Sequence, residues 1–393
     1  MKKSFYIILL LFGMALNAKS QISIDSVLYT IEQNNKTIQA NVQLWEAKKM
    51  EYKTGLMPSN PKVDYDFLNG SPVGAGNQID FAVTQSFDFP TVYSKKKQLS
   101  EEQIKQAEFQ LTSAKQDILL EAKLTCIELV YRYKFQSEVL KRKESTDKWL
   151  SDFQSSMVKG ERSILDVNKA KLQLTEINAD FQRNLSAINQ LNQKLTELNG
   201  GVVLNVTDLS YSEIIEVPSF ENLEEEIKAN DPIREYIEQE NVIIEKKIEL
   251  SKAMSLPKVE AGYRYQAILG QRFNGVHVGL TIPLWENKNK VKAQQANLEF
   301  NDLNLLNHSN ERYYYIQNIY EKQLNLKLTL DEYETLFTGL NTVELLDKSL
   351  ELGHISTIEY FMELSFYYGA LKNYLMTEKE YRQSIAELFK YKL

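Results

Sequence analysis

The chain has 393 residues, with 46 Lys and Arg against 53 Asp and Glu, a formal net charge of −7, and one cysteine. The acid excess argues against nucleic acid as a partner, because phosphate binding needs a basic surface. A lone Cys126 excludes a disulfide framework, and it lies too far along the chain to carry a lipid at a processed N-terminus.

Residues 1–20 read as a secretory signal peptide. Lys2 and Lys3 precede an apolar run from Phe5 to Leu16, and Ala18-Lys19-Ser20 forms a small-residue ending before Gln21. The run is too short to span a bilayer as a helix. Cleavage after Ser20 removes Lys2, Lys3 and Lys19 and no acid, so the exported chain is more acidic still. Beyond residue 20 no stretch approaches the roughly eighteen consecutive apolar residues of a membrane helix. A mature chain that enters a membrane therefore does so as β-strands.

The eight prolines fall in two zones, Pro58 to Pro90 and Pro218 to Pro283, and these mark an internal repeat. Ser23 onward (SIDSVLYTIEQNNKTI) matches Ser219 onward (SFENLEEEIKANDPI), and Pro61-Lys62-Val63 matches Pro257-Lys258-Val259 at the same spacing. The expected plan is a first repeat over 21–200, a linker over 201–218 and a second repeat over 219–393. Each repeat opens with a helix, about Ser23 to Gly55 and Ser219 to Ser255, ended by prolines.

Each helix leads into a hairpin, over 62–90 and 257–285. Val63, Tyr65 and Phe67 alternate with Lys62, Asp64 and Asp66, and Ile79, Phe81 and Val83 follow a turn around SPVGAG. In the second hairpin Val259, Ala261, Tyr263 and Tyr265 precede a turn near Gly270 to Gly275, followed by Val276, Val278 and Leu280. A period of two gives strands with one apolar and one polar face. The pattern fits strands between lipid and water, and equally fits two hairpins facing each other in a small soluble sandwich.

Long helical hairpins close each repeat, over 95–199 with a tip near 160 and over 288–390 with a tip near 353; strong helix formers dominate both. Tyr360, Tyr367, Tyr374, Tyr381 and Leu388 recur every seven residues beside Leu364, Leu371 and Ile385, and Ile188, Leu191, Leu195 and Leu198 form a shorter seam. This is coiled-coil spacing, and core packing outweighs a stacking platform for a ligand.

Gly160 interrupts MVKGERSILDV, and Gly353 interrupts LELGHISTIEYF. Glycine disfavours a helix interior but suits the left-handed residue just past a helix end. Ser163 with Asp166, and Ser356 with Glu359, then have the spacing of a capping box that restarts the helix.

Two repeats of helix, hairpin and long helical pair, with VTQSFDF and LTIPLW entering the helices and KGERSILDVNKAKLQL at a hairpin turn, resemble the TolC-like family of outer membrane efflux ducts. The resemblance covers essentially the whole mature chain. It implies an α+β membrane protein of TolC-like fold: long coiled-coil α-hairpins with four transmembrane strands per protomer, a homotrimer sharing a 12-stranded β-barrel in outer membrane lipid, and an α-helical barrel projecting into the periplasm. It further implies that Gly160, Ser163, Gly353, Ser356 and Thr357 lie at the periplasmic tip, which docks a periplasmic adaptor coupled to an inner membrane pump of RND type.

Asp166 and Glu359 match the acid after the family's tip turn and are candidates for acidic entrance rings; capping alone would also account for them. One turn on, Lys169 and Met362 stand where a family member has a further acid. The short link from Gly200 to Ser219 implies a small equatorial belt.

The implied function is a passive exit duct for a tripartite efflux system, with no catalysis and no cofactor. No phosphate loop or G-x-S-x-G occurs, and His277, His308 and His354 lack a neighbouring Cys or His at ligand spacing. TQSFDFPTVYSKKKQ resembles the heavy-metal efflux (CusC/CzcC-like) branch, while drug and protein cargoes remain alternatives. The competing reading is a soluble periplasmic coiled-coil scaffold or adaptor.

Overall fold

The structure, a computed structural model, describes residues 23–393 apart from 205, 208 and 214; the expected signal peptide lies outside the described residues. Helices α1 (Ile24–Asn34) and α2 (Lys36–Tyr52) lead to strands β1 (Lys62–Asn69) and β2 (Asn77–Phe87), then to α3 (Pro90–Val158) and α4 (Ile164–Leu198). The order continues with α5 (Phe220–Ala229), α6 (Pro232–Ala253), β3 (Lys258–Ile268), β4 (Gln271–Thr281), α7 (Lys290–Gly339), α8 (Thr342–Glu351) and α9 (Thr357–Leu388). No described helix is long and apolar enough to cross a membrane.

The chain forms two compact units, and each draws on both halves of the sequence. One holds residues up to Gln39, Lys115–Leu223 and Ile316–Leu393; the other holds Ala40–Ala114 and Glu224–Tyr315.

In the first unit α1 places Ile24, Val27, Leu28 and Ile31 on one face, the i, i+3, i+4, i+7 spacing of a half-buried helix. They pack with Ala122, Cys126 and Leu129 of α3, Ile188 and Leu195 of α4, and Ala386 of α9. Burial raises the Cys126 thiol to about 12, so it acts as a small apolar side chain. The tyrosine seam packs as core: Tyr360 and Tyr381 are buried, Tyr367 lies 5.8 Å from the Phe337 ring, and Tyr374 lies 5.5 Å from it.

The opening helix expected over residues 23–55 is two helices. Asn35 takes an extended backbone, accepts from the Ile38 N–H with its side-chain oxygen at 2.9 Å and donates its amide to Leu198 O at 2.7 Å. Such local bonds compete with helix continuation. The second half breaks similarly, because Asp231 caps Ile233 and Arg234 ahead of Pro232. The helix expected to run unbroken from 288 to the second tip stops at Gly339 and restarts at Thr342, whereas α3 is continuous over 69 residues.

The second unit contains one four-stranded antiparallel sheet in the order β1-β2-β3-β4. The hairpins therefore lie edge to edge through β2 and β3, and the facing-sandwich arrangement is not what forms. Val63, Val83, Tyr263 and Val276 stand in one cross-strand row, and Lys62, Thr84, Gly262 and His277 in the next. Because the side-chain period is two, this register puts the apolar rows of both hairpins on one continuous face. The second turn is tighter than expected: Leu269 (φ 49) and Gly270 (φ 81) make a two-residue connection, and β4 already starts at Gln271. Asp88 anchors the exit from β2 through Lys96 at 3.1 Å and Lys258 at 3.8 Å.

Gly200 ends α4 with φ 67, and a Cβ there would lie 2.3 Å from Asn34 O. Gly200→Ala should destabilise the protein by about 2 kcal/mol, through strain and that backbone clash. Unfolding followed by circular dichroism checks this; an unchanged midpoint would show that the α1–α4 junction relaxes freely.

Candidate functional site

The helical tips belong to the first unit, and both use the same local chemistry. At the first, Gly160 has φ 75; its N–H donates to Met157 O at 3.0 Å and the Glu161 N–H to Ser156 O at 3.0 Å. At the second, Gly353 has φ 71, with Gly353 N–H to Leu350 O at 3.1 Å and His354 N–H to Ser349 O at 2.9 Å. Both are Schellman ends, which satisfy carbonyls left over at a helix C-terminus.

Each restart is a capping box. The Ser163 hydroxyl accepts from the Leu165 N–H at 3.1 Å while the Asp166 carboxylate accepts from the Ser163 N–H at 3.3 Å. The Ser356 hydroxyl accepts from the Glu359 N–H at 3.2 Å, and the Glu359 carboxylate from the Ser356 N–H at 2.8 Å. That backbone bond, with the Ser356 side chain, holds the Glu359 carboxyl below its ordinary range.

Gly160, Ser163, Gly353, Ser356 and Glu359 are exposed, and Asp166 is half-buried. Thr357 is different: it is 4% exposed, and its hydroxyl accepts from Arg162 at 2.7 Å. Arg162 also lies over the Phe153 ring at 4.2 Å, so it clamps one helical hairpin to the other. Sequence reasoning missed Arg162 because nothing local marks its partner. Its position inside the first tip turn was the available signal.

Beneath the clamp, Trp149, Phe153, Val167, Leu350 and Tyr360 form a buried cluster. The Asp347 carboxylate accepts from Tyr360 Oη at 2.6 Å and from Trp149 Nε1 at 3.2 Å, and the Trp149 and Tyr360 rings meet at 5.6 Å. Around the turns, Val158, Ile164 and Leu165 on the first tip and Leu352 and Ile358 on the second are exposed apolar side chains that sequence reasoning did not single out. His354 is exposed in the turn, and the described residues contain no group of three or more side chains able to hold a metal ion.

The second candidate surface is the sheet. Val63, Tyr65, Tyr263, Val276, Val278 and Leu280, all on the apolar face, are exposed. Among the described residues, strands β1 and β4 each have one unpaired edge.

No protein-family model matches the chain, and no characterised protein matches it in sequence. Solved structures do. CusC, described in terms of folding and transmembrane channel formation, aligns over 97% of this chain and 95% of its own, with a TM-score of 0.77 at 11% identity. The CmeC outer membrane channel of Campylobacter jejuni aligns over 94% and 85%, with a TM-score of 0.73 at 13% identity.

The chain has the TolC-like fold. The open state of the MtrE outer membrane channel of Neisseria gonorrhoeae agrees, with 94% and 88% coverage and a TM-score of 0.70 at 11% identity. In this TolC-like chain the described residues of the link between α4 and α5 form no named helix or strand. Ser210 of the link bridges to Ser23, and Val206 and Leu209 are buried.

The lowered Glu359 carboxyl links the second tip to pH. Its capping contribution is fully present above the ordinary value of 4.5 and is lost as pH falls through the lowered one. Backbone amides at 356–360 should therefore lose protection as pH falls below the ordinary value of 4.5 and through the lowered one, and Glu359→Gln should remove most of that change. Hydrogen-exchange protection factors measured from pH 7 to 3 decide it; an acid response surviving in Glu359→Gln would assign the effect elsewhere.

Proposed function

We propose that the protein is an outer membrane channel that conducts substrates passively outward as the exit duct of a tripartite efflux system. The observation that carries this reading is the sheet, which combines a continuous exposed apolar face with two unpaired edges. Hydrocarbon accepts such a face but not an open edge, so several copies must pool their strands. Three four-stranded sheets would close one barrel, with Val63, Tyr263 and Val276 toward lipid and Lys62, Asp64 and His277 toward a watery lumen. The signal peptide and the fold shared with structures named as outer membrane channels support the same reading.

On this reading the two repeats, 21–200 and 219–393, each supply one strand hairpin and one helical hairpin. The tips at Gly160 and Gly353 face the periplasm and dock a periplasmic adaptor coupled to an inner membrane pump of RND type. The exposed apolar residues of the turns supply contact area, and the pump selects the cargo. Arg162 on Thr357 and the Asp347 cluster hold the hairpins together, and opening the entrance separates them. Asp166 and Glu359 cap their helices and, in three copies, ring the entrance with negative charge that favours cations.

Membrane fractionation with chemical crosslinking tests the core of this. The protein should fractionate with the outer membrane and crosslink as a trimer; a soluble periplasmic monomer would favour the scaffold alternative and overturn the duct. Space around Gly160 and Gly353 is open, so replacing both by tryptophan costs only backbone strain, about 1 kcal/mol each. This variant should keep the trimer and lose crosslinking to the adaptor.

Planar-bilayer recordings test the tips. Arg162→Ala should raise conductance, and Asp166→Asn with Glu359→Gln should lower cation preference. Unchanged traces in both would remove these residues from gating and selectivity and leave them as structural groups.

A further inference from the structure

The segment that leaves β4, IPLWENKNKVK over residues 282–292, carries three lysines and one acid in a chain of net charge −7. It starts where the apolar face of the sheet ends. Phe87, Val259 and Leu280 form the last cross-strand row of that face, and all three are exposed. Ile282, Leu284 and Trp285 carry the apolar surface beyond the sheet, and Trp285 is 78% exposed.

The segment is built rather than loose. The Asn287 amide donates to Met254 O at 2.6 Å, which ties it to the end of α6, and the Lys288 N–H donates to Trp285 O at 3.1 Å, which holds the tryptophan and the first lysine in one turn. Glu286, the acid of the segment, lies 3.9 Å from Lys258 on β3. Lys288, Lys290 and Lys292 are exposed and make no ion pair among the described residues; Lys290 donates to the neutral Asn287 side chain at 2.9 Å.

The first repeat shows the contrasting case, in which such lysines serve the protein's own acids. Lys95 follows Pro90 at the distance at which Lys288 follows Pro283. There Lys95 meets Glu249 at 2.7 Å, Lys96 meets Asp88 at 3.1 Å and Lys97 meets Glu101 at 3.9 Å. Lys290 and Lys292 also open α7, where positive charge works against the helix dipole, so helix stability does not account for them.

An exposed tryptophan beside lysines, at the rim of an apolar strand face, is the pattern of a membrane–water interface: the indole sits at headgroup level and the lysines attract anionic lipid. We propose that this segment binds anionic phospholipid of the periplasm-facing leaflet, with Leu284 and Trp285 at the upper ends of the acyl chains and Lys288, Lys290 and Lys292 on the negative headgroup. The inference rests on the outer membrane reading of the sheet and adds to it the class of lipid recognised where strands give way to helices.

The full mature chain reconstituted in phosphatidylcholine bilayers tests it, with brominated phosphatidylglycerol or brominated phosphatidylcholine quenching tryptophan emission. Trp285 is one of three tryptophans, and the difference between wild type and Trp285→Phe isolates its emission. Phosphatidylglycerol should reach half-maximal quenching of that emission at about fivefold lower mole fraction, and Lys288→Gln/Lys290→Gln/Lys292→Gln should bring the two lipids level. Raising salt to about 1 M should do the same in the unaltered protein. Resistance to alkaline carbonate extraction reports separately whether the sheet lies in the bilayer. Protein stripped by carbonate would overturn the channel reading and the lipid site with it. Protein that resists carbonate, with Trp285 unquenched, quenched equally by both lipids, or still selective after the triple substitution, would overturn the lipid site alone. Equal quenching by both lipids, with adaptor crosslinking lost in the triple variant, would give the surface to a protein partner instead.

Discussion

The edge of a β-sheet is a row of N–H and C=O groups that must find partners, and the arrangement of this molecule turns on where they find them. Strands β2 and β3 pair with each other, so the two halves of the chain make one sheet and leave one edge at β1 and one at β4. Water would satisfy both edges but not the apolar rows through Val63 and Val276. Hydrocarbon would suit those rows but satisfy neither edge. Closure with further copies resolves the conflict, which is why the proposed duct is an assembly and not a property of one chain.

The helical tips show how a repeat becomes a device with two unlike halves. Each uses a Schellman glycine followed by a capping box, so the backbone at Gly160 and Gly353 is solved in the same way. The difference lies in the side chains placed on that backbone. Arg162 stands in the first turn and Thr357 begins the helix after the second, and together they join the hairpins. Asp347, half-buried beside Trp149 and Tyr360, does the same one layer below.

The local grammar of the fold was legible in the sequence. Strand alternation at Val63 and Val276, helix ends at Gly160 and Gly353, and restarts at Ser163 and Ser356 all rest on interactions within a few residues. The heptad tyrosines were legible for the same reason, since their spacing alone puts them on one helix face. What could not be read was pairing at a distance: β2 beside β3, Arg162 with Thr357, Asn35 with Leu198. Thr357 illustrates the limit, because Ser356-Thr357 looks like an exposed turn and only the arrival of Arg162 makes the threonine interior. The breaks at Asn35 and Asn341 are an intermediate case. Asn-Asn and Gly-Leu-Asn are recognisable helix-ending signals, outweighed in a reading that followed the helix formers around them.

The energetics of the tips bear on how a proposed closed entrance could be opened without covalent chemistry. A hydrogen bond such as Arg162 to Thr357 contributes about 0.5–1.5 kcal/mol net. The Asp347 cluster is stronger because its acceptor is charged and half shielded, with each bond to it worth about 1.5–3 kcal/mol. In a trimer, three copies of these contacts would sum to roughly 10–22 kcal/mol, about 4–7 kcal/mol for each protomer, which is of the order that a docked partner can supply through differential contacts. The exposed Val158, Ile164, Leu165, Leu352 and Ile358 surround the turns that carry the clamp. A partner that buries them only when the hairpins part would shift the equilibrium one protomer at a time, against clamps strong enough to hold in its absence.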